Sequence, residues 1–148
     1  MMSAFFQILT ALTSTVAFSV LFAAPAKELW LCGLSGVFTW GAYTILTLAG
    51  LSDITASLIA TFLLTLLART IAVRRQVPVT VYLITGVFQL VPGAGIYYTA
   101  YYLFTGNTAL AGSRCLYTFE IAIAIVFGIL FGSALPQKWF RKISPTKN

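Results

Sequence analysis

Leu90-Val91-Pro92-Gly93-Ala94-Gly95-Ile96-Tyr97-Tyr98 lies inside an apolar run, Pro78 to Thr105, that contains no Lys, Arg, Asp or Glu. Pro92 removes a backbone donor, clashes with the preceding helical turn and biases Val91 away from helical angles. Gly93 and Gly95 add backbone freedom just after it. A run this long crosses a bilayer as a helix, and this stretch divides that helix in two. Unbroken, it would be about 42 Å long, more than the roughly 30 Å hydrocarbon core requires; a break or a tilt absorbs the excess. In lipid, a break frees N–H and C=O groups that only protein or a watered cavity can satisfy. A half-helix N-terminus near the membrane midplane can then hold an anion. The plainer reading is a Pro kink in a continuous helix, since Pro and Gly are common in membrane helices.

The 148 residues are 59% hydrophobic and 8% charged, with mean hydropathy +0.94. Soluble domains carry about 25% charged residues, so the chain reads as one all-α polytopic membrane domain, 1–148. Its net charge of +6 suits the Lys/Arg excess of cytoplasmic loops. No soluble basic stripe with interleaved aromatics points to nucleic acid. There is no histidine, no metal-ligand spacing, no Gly-x-Ser-x-Gly, no paired carboxylates on one helix and no phosphate loop. Neither an enzyme nor a cofactor or metal is expected. Cys32 and Cys115 fall toward opposite faces and read as small buried side chains, not a disulfide. The first run has the outline of a signal peptide, with Ala23-Ala24-Pro25-Ala26 as a cleavage site. But Met1–Gln7 lacks Lys and Arg and the apolar core is too long, so it is read as a retained helix.

Five transmembrane helices are expected, over residues 4–24, 29–49, 53–73, 78–105 (the fourth, broken at Pro92–Gly95) and 114–135. Ser52 or Asp53 can cap the third. Gly33 and Gly36 share a face of the second, and Gly128-x-x-x-Gly132 marks a contact face on the fifth. Thr61 and Thr65 form a polar stripe on the third. Gly106–Ser113 reads as a polar turn, and Gln137–Asn148 as a basic tail with Trp139 at the interface. With five spans, Lys27, Arg69, Arg74, Arg75, Lys138, Arg141, Lys142 and Lys147 share one side and only Arg114 the other. The positive-inside rule then puts the N-terminus outside and the C-terminus in the cytoplasm. A dip at Pro78–Thr105 that returned to its own side would separate Arg74 and Arg75 from the basic tail, so the broken segment is expected to cross.

The candidate substrate-binding set is Gln89, Pro92, Gly93, Ala94, Gly95, Ile96 and Tyr97. The N–H groups of Gly93 to Ile96 would receive a carboxylate, which Gln89 and Tyr97 would hydrogen-bond. Glu120 lies within the fifth span; intramembrane ionisable residues usually face protein or a watered cavity, and one that takes and loses a proton suits proton coupling. The alternative is a structural Glu near the outer interface. Glu28, beside Lys27, reads as solvated. Secondary candidates are Trp40, near the midplane; Arg69, which either snorkels to the interface or draws an anion into a cavity; and Tyr98 and Tyr101, which also fit an outer aromatic belt.

Ala68-Arg69, Arg74-Arg75-Gln76-Val77-Pro78 and Gly86-Val87-Phe88-Gln89-Leu90-Val91-Pro92-Gly93-Ala94-Gly95-Ile96-Tyr97 resemble the threonine/serine exporter family, specifically the short, YjjB-like subunit of its split form. Where the family pattern often carries Pro one place before Leu-Val-Pro-Gly, this chain has Gln89. The resemblance implies a multi-pass protein of the bacterial cytoplasmic membrane and ion-driven export of small amino or organic acids. It also implies a larger YjjP-like membrane subunit as partner, the two five-span halves being inverted repeats. The rival is a non-transporting scaffold that packs on a partner through its glycine faces, with the Pro92 break dry.

Overall fold

The computed structural model describes residues 2–141, and every regular element among them is helical. Helix α1 covers Met2–Leu21. The chain turns through Ala23, at φ 53, and a short 3-10 turn, Ala26–Glu28, leads into α2, Leu29–Leu48. Gly50 closes α2 at φ 89, a left-handed angle that glycine adopts without steric penalty. Helix α3, Asp53–Arg75, starts where Ser52 Oγ accepts the Thr55 N–H at 3.3 Å, with Asp53 in its positive first turn. Arg74 and Arg75 occupy its last turn before Gln76 goes left-handed.

The fourth apolar run breaks as expected. Helix α4, Thr80–Val87, tightens into a 3-10 turn, Phe88–Leu90. Val91, held extended by the following proline (ψ 124), precedes α5, Gly93–Phe104. The two halves are bent by 47°. Helix α6, Thr108–Ala134, begins where Asn107 Oδ1 accepts the Leu110 N–H at 3.2 Å. A short α7, Gln137–Arg141, follows.

Three expectations are corrected. Among the described residues three helices, Ala26–Leu48, Asp53–Arg75 and Thr108–Ala134, are long and apolar enough to cross a membrane, and four if the bent pair is one span. The first expected span, 4–24, is the one that falls short: the apolar part of α1, Phe6–Leu21, is about 24 Å long at the helical rise. The expected turn at Gly106–Ser113 is instead mostly helix, because Asn107 caps α6 well before Arg114. Cys115 is exposed; only Cys32 is buried. The tail from residue 142, with Lys142 and Lys147 of the charge count, lies outside the described residues, as does the Trp139 side chain.

Helix α3 sits at the centre, against α6 on one side and α2 and α4 on the other; α1 leans on α2 and α4, and α5 on α6. The helices close on one another by fitting threonines into glycine notches. A Cβ added at Gly36 would stand 2.7 Å from Thr15 Cβ, one at Gly132 2.6 Å from Thr65 Cβ, and one at Gly128 3.0 Å from Thr61 Cβ. The Thr61 and Thr65 hydroxyls donate back to the Ser57 and Thr61 carbonyls (2.7 and 2.8 Å), so the stripe is satisfied within its own helix.

The contacts also fix direction. Tyr117 touches Asp53, Gly128 meets Thr61, Gly132 meets Thr65, and Arg69 reaches the Gly132 carbonyl. Positions rise together, so α3 and α6 run parallel. Helix α2 and helix α4 also run parallel: Cys32 pairs with the Val81 carbonyl and Ser35 with that of Tyr82, while Trp40 and Tyr43 lie beside Gln89 and Pro92.

Candidate functional site

The break opens on a cavity of about 260 Å³ whose wall includes Trp40, Tyr43, Ser57, Gln89, Pro92 and Ala94. Pro92 shares this wall with Ser57 and Ile121, and Leu90 packs with Ala60 and Ile125. Ser57 is one turn from the start of α3, so the break lies nearer the Asp53 end of α3 than the mid-helix contact between Leu64 and Gly86 does.

Of the four N–H groups expected to face a solute, two are already engaged. Gly93 donates to the Val91 carbonyl at 2.7 Å and Ile96 to that of Pro92 at 3.2 Å. The N–H groups of Ala94 and Gly95 have no acceptor among the described residues, as the first turn of any helix leaves its donors. Ala94 faces the cavity, whereas Gly95 packs against Thr118, whose Cβ an added methyl would meet at 3.2 Å.

Gln89 and Trp40 stand between this cavity and a second of about 230 Å³ beside α1. The Gln89 amide donates to Thr15 Oγ1 (2.6 Å), Ser14 Oγ (2.9 Å) and the Ala11 carbonyl (3.2 Å). Its nitrogen is therefore committed to α1, and its carbonyl oxygen is what it can offer a ligand. Tyr97, Tyr98 and Tyr101 stand away from the cavity. Tyr97 is 64% exposed and stacks on Tyr101 at 6.4 Å, while its edge meets Tyr98 at 5.4 Å. Ile96 is also exposed, and on this face of α5 the tyrosines stack on one another instead of lining the cavity. Glu120 is exposed and has no side-chain partner among the described residues.

Sequence reasoning missed two polar clusters. At the start of α3 Asp53 accepts from Tyr43 (3.1 Å) and Tyr117 (2.5 Å), tying α2, α3 and α6 together. At the basic end Glu28, expected to be solvated, is 5% exposed. Arg75 donates to it from Nη2 at 2.8 Å and from Nε at 3.1 Å, and the Tyr82 hydroxyl donates at 2.6 Å. The partners lie 47 and 54 positions away, so no local pattern announces them.

Arg69 is partly buried and reaches across to the end of α6. Its Nη1 donates to the Gly132 carbonyl at 2.7 Å and to that of Ser133 at 3.1 Å, at the negative end of α6. Phe140 of α7 lies under the guanidinium, 4.3 Å from ring centre to Cζ. Arg69 also lines a cavity of about 790 Å³ between α3, α4 and the end of α6.

The chain thus holds an apolar helix pair, long enough together to cross a membrane, broken at Pro-Gly and backed by packed threonine–glycine contacts. A family model described as Threonine/Serine exporter, ThrE matches residues 7–135, from Gln7 in α1 to the residue after α6. No curated protein and no solved structure matches the chain. With the match covering most of its length, the chain belongs to the threonine/serine exporter family.

Proposed function

We propose that this chain is the short half of a two-component secondary exporter of small amino or organic acids, of threonine/serine or dicarboxylate type. It works in the bacterial cytoplasmic membrane beside a larger YjjP-like subunit. The observation that carries this reading is the break: a helix N-terminus with unpaired N–H groups on Ala94 and Gly95, opening on a cavity with Gln89 and Ser57 in its wall. A carboxylate is the complement of such donors. The parallel run of α3 and α6 supports a bent pair that crosses, since a dip returning to its own side would set α6 antiparallel to α3. That crossing agrees with five spans, the N-terminus outside and the basic residues in the cytoplasm. Glu120, exposed in the single chain, is the proton carrier in this reading and turns toward the second subunit.

The test uses the exporter reconstituted with its partner and carrying Cys115→Ala to remove the exposed thiol. Ala94→Cys should react with a small water-soluble thiol reagent, and millimolar threonine, serine or succinate should slow that reaction. An unreactive Ala94→Cys means a dry kink and favours the scaffold reading. In the same vesicles Glu120→Gln should abolish the pH dependence of efflux, and full transport by this chain alone would contradict the need for a partner.

A further inference from the structure

Among the described residues, the cavity at the basic end is lined by one cationic side chain, Arg69, and it has donors to spare. Arg69 spends Nη1 on two α6 carbonyls and rests on Phe140. Its Nε and Nη2 groups have no acceptor among the described residues. Among the described residues no carboxylate lines this cavity, and the other polar groups around it are neutral, on Thr65, Gln76, Ser133 and Gln137. Glu28, the acid beside Arg75 at the end of α3, is taken up by Arg75 and Tyr82. A guanidinium fixed along one edge and bare along the other presents two parallel donors, the geometry that receives a carboxylate in a forked pair. The side chain is clamped in advance, so little rotamer freedom is lost when a ligand arrives.

We propose, resting on the exporter reading above, that this cavity is a second carboxylate site, the one a small amino or organic acid reaches first from the cytoplasm. It is distinct from the site at the break. Arg69 lies about 18 Å beyond Ser57 along α3 at the helical rise. The layer of Leu64, Ala60, Leu90 and Ile125 stands between them. Arg69 binds the carboxylate, and Gln76 and Gln137 supply neutral amides at the mouth. A cavity of about 790 Å³ is several times larger than such a solute, so the ligand enters with water.

The experiment again uses the reconstituted complex with Cys115→Ala. Ser133→Cys, a near-isosteric change on the cavity wall, is labelled with a small thiol reagent from the basic side. Threonine and succinate should protect it. Arg69→Lys, which keeps the charge but loses the fork, and Arg69→Gln should raise the concentration needed for half-protection about tenfold or more, the scale of a hydrogen bond to a charged group. Protection that is absent with Arg69 intact overturns the proposal, and that arm needs no Arg69 variant to fold. So does protection unchanged in Arg69→Gln, or protection supplied equally by anionic lipid without solute, which would make this a headgroup contact. Ala94→Cys separates the two readings: if it stays protected by solute while Ser133→Cys is not, the inner site fails and the exporter reading stands. If neither is protected, both fail.

Discussion

Two glycines of α6 make opposite predictions for one substitution. Gly128→Ala would put a Cβ 2.5 Å from the Leu58 carbonyl oxygen and 3.0 Å from Thr61 Cβ. A carbon normally approaches a carbonyl oxygen no closer than about 3.3 Å. The shortfall is about 0.8 Å, and the atom in the way is backbone, so no rotamer change relieves it. Helices α3 and α6 must part, which loosens Gly132 on Thr65 and the Arg69 contacts just beyond. Overpacking of this kind costs about 1–3 kcal/mol, against a gain of at most about 1 kcal/mol for alanine over glycine in a helix. A net loss of about 1–2 kcal/mol follows. Gly112→Ala meets nothing within 4 Å, so the propensity gain stands alone and stability holds or rises. Cys32, at 0% exposure, provides the assay: in a Cys115→Ala background, a thiol-reactive dye in detergent reports the temperature at which Cys32 is uncovered. The expected order is Gly112→Ala at or above the parent, and Gly128→Ala several degrees below it. If Gly128→Ala melts together with Gly112→Ala, the α3–α6 contact is not packed as described, and the parallel register drawn from it loses its main support.

Glu28→Gln keeps an acceptor for Tyr82 but leaves Arg75 without its charge partner; because the Arg75 side chain is 47% exposed, water offsets much of the loss, and a cost of about 1–2 kcal/mol is expected in the same melting assay. Glu28→Ala should cost more, since the buried Tyr82 hydroxyl also loses its acceptor. Asp53→Ala frees the hydroxyls of Tyr43 and Tyr117 together, so amide hydrogen exchange should rise in residues 108–117 while residues 124–132 stay protected. Pro92→Ala restores a backbone donor and lifts the restriction on Val91; efflux from vesicles should fall while the melting temperature holds or rises, and unchanged efflux would separate transport from the break.

What could be read from residues alone was what acts within a turn. Pro92 constrains its own φ and the backbone of Val91, and the break is where those local forces put it. Ser52, Gly50 and the Arg74–Arg75 pair punctuate α2 and α3 in the same local way. The glycine faces were legible as faces, but their partners were not: that Thr15 fills Gly36 and Thr61 fills Gly128 depends on register between helices, which no single segment contains. Glu28 was misjudged for the same reason, its environment being set by Arg75 and Tyr82 from two other helices.

The start of α6 was misjudged for a different reason, and it bears on how the site works. Gly112, Ser113 and Arg114 are polar enough to suggest a loop, yet polarity near a membrane surface says where a helix leaves the lipid, not where it ends. Tyr117 is level with Asp53, so about 13 Å of α6 continues past the start of α3 at the helical rise. Helix α5 runs beside it with its tyrosines exposed. The break therefore stands nearer the Asp53 end of α3 than its middle. From Ala94 to the level of Asp53 is about one helical turn, whereas toward Arg69 the path is about 18 Å and passes Leu64, Leu90 and Ile125. The apolar barrier therefore lies on the basic side of the break. In the exporter proposed above, a solute loaded from that side would have to displace Leu90 and its neighbours before it reached the Ala94 amide; Leu90 sits in the 3-10 turn before the extended Val91, whereas α4 itself is held to α3 where Gly86 meets Leu64.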